Sequence, residues 1–190
     1  METRAYVKFS DSQFEKIGNT MVYLTKKIGG ISKTKLLKLL YILDEISIKK
    51  SGIPFLNLTY KVWKFGPVSE ELFIDLSSKN EIGKLKKYLK NRDDKFYPIV
   101  AFNDDEFSEN DIELMDFVIS KYGHKTANQL VNYTHRETGL WHQTAKNNGV
   151  LELLENEIIN STEFVIDMKK LVEHEPKKQE MYLDYLEFHS

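Results

Sequence analysis

The sequence predicts a mainly α fold of the α+β kind, a compact helical domain around a central buried helix with a small two-stranded β element. Apolar residues recur at helical spacing in several segments, most densely in Lys35-Leu36-Leu37-Lys38-Leu39-Leu40-Tyr41-Ile42-Leu43. Two short stretches, 58–63 and 95–102, carry strand formers instead, and glycine or proline punctuates the joints. With 41% hydrophobic residues among 190, including 11 Phe, 10 Tyr and 2 Trp, the chain has enough apolar mass for one substantial core.

In chain order, a first helix is expected over about Asp11 to Ile28, ending at Gly29-Gly30, where left-handed backbone angles cost little. Ser32 then serves as N-cap of a second helix running to about Lys50, with Gly52 beyond its end. Its apolar residues from Leu36 to Ile48 cover well over half the circumference, as in a helix packed on several sides. Lys38, Glu45 and Lys49 are read as its wet stripe, with Glu45 and Lys49 in the favourable ion-pair order.

Pro54 stops helix propagation, after which Leu58, Tyr60 and Val62 alternate with Thr59, Lys61 and Trp63 as in a half-buried strand, Trp63 being assigned to the core. Gly66-Pro67 forms a rigid corner, and a helix signal returns at Ser69-Glu70-Glu71-Leu72-Phe73 with an acidic first turn that complements the helix dipole. The stretch Lys95 to Phe102 is a candidate to pair with residues 58–64 in the small sheet, with Pro98 marking an edge or bulge. Ser108 and Asp111 make a short-armed capping box for a helix that ends at Gly123, and Thr126 caps the next one, to about His135. Gly139 and Gly149 bracket a short helix or turn over Trp141 to Asn148. The tail shows a helical pattern over Asp167 to Glu173, then Met181, Tyr182, Tyr185, Leu186 and Phe188 at helical spacing after Pro176.

Composition narrows the chemistry. The absence of cysteine removes a disulfide framework, a thiolate nucleophile and a Cys-ligated zinc or iron–sulfur site, and fits a reducing compartment. With no basic-then-apolar leader at Met1 to Tyr6 and no membrane-length apolar run, a soluble cytoplasmic protein is expected. Lys plus Arg number 27 against 29 acidic residues, so no global positive field draws the chain to nucleic acid. The densest basic cluster, Lys84 to Arg92, is followed at once by Asp93 and Asp94 and is read as a solvated helix face. Among the histidines only His135 and His142 approach metal-ligand spacing, and Gly139 interrupts the helix they would share. His135 is therefore read as closing a helix end through hydrogen bonding. No phosphate loop or nucleophile elbow occurs, and the acidic pairs Glu70-Glu71 and Asp104-Asp105 are adjacent rather than convergent. The expectation is a protein that is not an enzyme and carries no cofactor or metal.

The second helix, followed by Tyr60-Lys61-Val62-Trp63-Lys64-Phe65-Gly66-Pro67-Val68-Ser69-Glu70-Glu71-Leu72, resembles the opening of the Panacea domain of SocA-like antitoxins. Phe107 to Val118, Lys121-Tyr122-Gly123, Leu130, Thr134-His135-Arg136-Glu137 and Trp141 continue the resemblance in order, across about residues 31–145. The resemblance implies an N-terminal helix over 1–30, a Panacea-like core over 31–145 and a helical extension over 146–190 that packs on the core. It also implies a mainly helical family found in two-gene toxin–antitoxin operons, prophages and other mobile elements. Its members look like modules that neutralise a nearby-encoded toxin by direct binding. The SocA-like branch suggests a proteolytic adaptor that delivers the toxin to a ClpXP-type protease. Some members add a DNA-binding helix-turn-helix domain, for which the segment before the core leaves no room. An enzyme with an unrecognised site and a transcriptional repressor are the remaining alternatives.

Large aromatics both fill cores and anchor interfaces. Trp141, in a polar neighbourhood, reads equally as either, and Tyr182, Tyr185 and Phe188 either dock the tail or meet a partner. These four are the candidate partner-binding residues, while Gly66, Pro67 and His135 belong to the structural motif.

Overall fold

The structure, a computed structural model, describes residues 9–77 and 84–189. The first eight residues of the expected N-terminal segment lie outside the described residues. Ser10 opens helix α1, Asp11–Ile28, by accepting the Gln13 N–H, and Gly29 closes it at a φ of 86°. Strand β1, Ile31–Ser32, leads into α2, Lys33–Ser51, which Ser32 caps through the Lys35 N–H. Strands β2, Lys61–Trp63, and β3, Gly66–Val68, form an antiparallel hairpin that feeds α3, Glu70–Ser77. After a 3-10 turn at Lys84–Lys87 come β4, Leu89–Arg92, and β5, Lys95–Pro98. The capping boxes of Ser108 and Thr126 open α4, Glu109–Tyr122, and α5, Ala127–Thr134. Then follow α6, Leu140–Asn147, α7, Leu151–Glu155, a 3-10 turn at Met168–Val172, and α8, Pro176–Phe188. The fold is mainly α with a small β component, as the sequence predicts.

The central helix is α2. It packs against α1, α3, α4, α5, α8 and β3, and its buried face includes Leu36, Leu39, Leu40, Ile42 and Leu43. The wet stripe expected on it is a correction: Lys38 and Glu45 are both 1% exposed, and only Lys49 is open to solvent. Each buried group has a polar partner. The Lys38 ammonium donates to Pro67 O at 2.8 Å, and Glu45 is ion-paired with Arg136 and Lys49. Asp44, equally buried, accepts the backbone N–H groups of Leu56, Asn57 and Leu58 and the Tyr60 hydroxyl.

The sheet pairing also departs from expectation. Strand β5 pairs with β4 and β1 in a three-stranded sheet, not with residues 58–64. The basic cluster is accordingly a 3-10 turn and a strand rather than a helix face. Asp93 and Asp94 take φ values of 52° and 60°, the left-handed pair that a tight hairpin requires. Pro98 ends the middle strand, past the two residues that face β1, so its missing N–H breaks no ladder there. On its edge away from β3, β2 meets a tail segment: Val62 N donates to Phe164 O, Ile166 N donates to Tyr60 O, and Lys61 bridges Val165 in antiparallel register.

The tail helix α8 docks on α2. Lys178 Nζ donates to Lys49 O at 2.6 Å, and a Cβ on Gly52 would lie 2.4 Å from Lys178 O. That close approach, together with a φ of 83°, is why glycine stands at the end of α2. No helix among the described residues is long and apolar enough to cross a membrane.

Candidate functional site

The residues singled out in the sequence separate into two constellations. Gly66, Pro67, His135 and Trp141 converge behind the β2–β3 hairpin. Gly66 has a φ of 92°, and a Cβ there would sit 2.5 Å from Thr134 Oγ1 and 2.9 Å from Lys38 Cε. The chain comes this close because Lys38 reaches the Pro67 carbonyl from α2. His135 follows α5, its backbone N–H donating to Val131 O as expected of a helix end, while its ring stacks on Trp141. Trp141 in turn donates its indole N–H to Trp63 O at 2.9 Å. Trp63 itself is half-buried at the rim of the core, edge-on to Phe73.

This first cluster is interior. Trp141 is 0% exposed, which withdraws it from the partner-binding candidates: it is a core residue with no surface to offer. Burial lowers the Lys38 ammonium to about 7. Burial, and then the charges of Lys38 and His142, lower His135 to about 4, so the ring on Trp141 is neutral at pH 7. Its Nε2 atom is buried without a hydrogen-bond partner. The arrangement orients a corner and holds it rigid. Among the described residues no three His, Asp or Glu side chains are grouped to hold a metal ion.

The second constellation opens to solvent. Tyr182, Tyr185 and Phe188 line a groove of about 960 Å³ between α8, the start of α1 and the tail segment beside β2. Buried groups set its walls. Asp44 pins the loop at Leu56 to Leu58, and Gln13 Nε2 donates to Leu56 O, so Leu58 and Thr59 form one side. The hydrogen bonds from Val62 and to Tyr60 hold Val165 and Ile166 as another. Pro176 in the first turn of α8 starts the helix that carries Tyr182, Tyr185 and His189 on one face.

The three aromatic residues play different parts in it. Tyr182 is only 8% exposed and mainly docks the tail; burial, followed by the charges of Asp167 and Asp44, pushes its hydroxyl up to about 12. Tyr185 is half-buried and stacks on His189 with ring centroids 4.0 Å apart. Phe188 is 85% exposed. Sequence reasoning missed Asp44 and Lys38, whose only signal was a charge inside an unbroken apolar run. It also missed the segment Phe164 to Asp167, which has no strand pattern of its own.

A family model described as "Antitoxin SocA-like, Panacea domain" matches residues 36–142, more than half of the chain. The match starts in α2 and ends in α6, so it takes in the interior cluster and leaves α8 outside. No curated protein and no solved structure matches the chain.

Proposed function

The chain belongs to the family of SocA-like antitoxins with a Panacea domain, and on that footing we propose that it neutralises a cognate protein toxin, encoded nearby, by binding it directly. The family match is the observation that carries this reading. In the proposal the matched core supplies the rigid frame and the groove beside α8 supplies the contact, with Tyr185 and Phe188 as anchors and Tyr182 behind them. An exposed aromatic such as Phe188 gains most from burial against a partner and contributes little to the fold where it stands.

Direct binding acts by mass action, so protection needs about as much antitoxin as toxin. The test is co-expression with the product of the neighbouring gene in a growth assay, with both proteins quantified. Growth should return as the two levels become comparable. Protection at trace levels of this chain would refute a stoichiometric antitoxin and point to catalytic modification of the toxin.

A further inference from the structure

The groove beside α8 has a charge and an edge that together specify what fits it. Its described lining residues include Glu71 and Asp167 and no lysine or arginine. Glu71 accepts from Ser69 Oγ through one oxygen, and Asp167 accepts from Lys169 N through one of its own. Among the described residues each carboxylate thus keeps a second oxygen for a ligand. Around them stand Tyr185, Leu186 and Phe188, apolar surface and ring faces that attract a cation as well as a hydrocarbon chain.

The edge comes from the tail segment. Since Phe164 O and Ile166 N point to β2, the intervening Val165 directs its own N–H and C=O the opposite way. Val165 is exposed and lines the groove. A strand laid along this wall would meet a donor and an acceptor with no hydrogen-bond partner among the described residues, the geometry by which extended peptides add to a sheet.

We propose that the groove between α8 and the Val165–Asp167 edge receives an extended, apolar segment of a partner protein carrying a lysine or arginine. The basic side chain lies between Glu71, Asp167 and the aromatic rings, and the segment's backbone pairs with Val165. That the partner is a toxin rests on the antitoxin reading; the chemistry of the segment does not.

The probe is a displayed library of random peptides about twelve residues long, selected on the full chain and measured with synthetic peptides by fluorescence anisotropy. Enriched peptides should hold Lys or Arg among apolar residues, and N-methylation of the backbone next to the basic residue should weaken them. The double variant Glu71→Gln, Asp167→Asn keeps shape and the Asp167 cap, and should bind about tenfold more weakly or worse. Its thermal unfolding should match the parent, showing that the loss is not misfolding. Enrichment of acidic peptides, no enrichment, or binding indifferent to the double variant would overturn the proposal. So would occupation of the groove by a second copy, seen as a dimer that the double variant dissociates. Growth protection with a failed selection would leave the antitoxin reading standing and remove only this one; successful selection without protection would do the reverse.

Discussion

The imidazole of His135 lies flat on the indole of Trp141, with ring centroids 3.7 Å apart and planes within 2° of parallel. The contact joins the end of α5 to α6, and the Trp141 N–H extends the link to Trp63 O in β2. One side chain therefore ties two helices to the hairpin.

Removing that side chain should be costly. Trp141→Ala deletes a fully buried indole and is expected to lose about 3–5 kcal/mol of stability. Trp141→Phe keeps much of the packing but loses the hydrogen bond to Trp63 O, for about 0.5–1.5 kcal/mol. Denaturant unfolding of the two variants should rank them in that order, and a Trp141→Ala protein as stable as the parent would contradict the core assignment.

The Gly66 corner makes a second expectation. At a φ of 92° any side chain is strained, and valine would also press on Thr134 and Lys38. Gly66→Val should cost about 2–4 kcal/mol and lower neutralisation only through the loss of folded protein. Unchanged thermal unfolding would show that the corner tolerates a side chain and that the strain argument is wrong.

Lys38 gives a pH signature. Its folded value is lowered from 10.5 to about 7 by burial, so between those values the unfolded chain binds the extra proton. The contribution is fully favourable above 10.5 and is lost as pH falls toward 7. Stability of the parent minus that of Lys38→Met should therefore rise from about pH 7 upward, the subtraction removing the titration of other groups. A flat or falling difference would mean that the ammonium is not desolvated as its position implies.

Much of the helical frame was legible in the chain because caps are local. Ser32, Ser108 and Thr126 announce helix starts through side chains that reach only three residues ahead. Tertiary partners were not legible. Lys38 reads as solvent-facing because helical periodicity cannot show that Pro67 O waits across the core to receive it. The stretch Lys95 to Phe102 reads as a strand that could pair with residues 58–64, yet its strand pairs with β1 and β4, since strand propensity says that a segment pairs and not with what. The Asp93-Asp94 turn was the overlooked local clue, favouring a hairpin with β4. The groove drew on both kinds of information: Tyr182, Tyr185 and Phe188 could be read as one helical face, while its opposite wall at Val165 depends on pairing across about a hundred residues of sequence.

The central claim is direct, stoichiometric binding of a toxin. Its most immediate test is native mass spectrometry of the full chain co-purified with the product of the neighbouring gene, in cells with and without their ClpXP-type protease. The account predicts a complex of whole-number stoichiometry in both backgrounds, with the toxin chain intact and at its unmodified mass. A toxin that is covalently altered, or that is lost only where the protease is present, with no complex recovered, would contradict it.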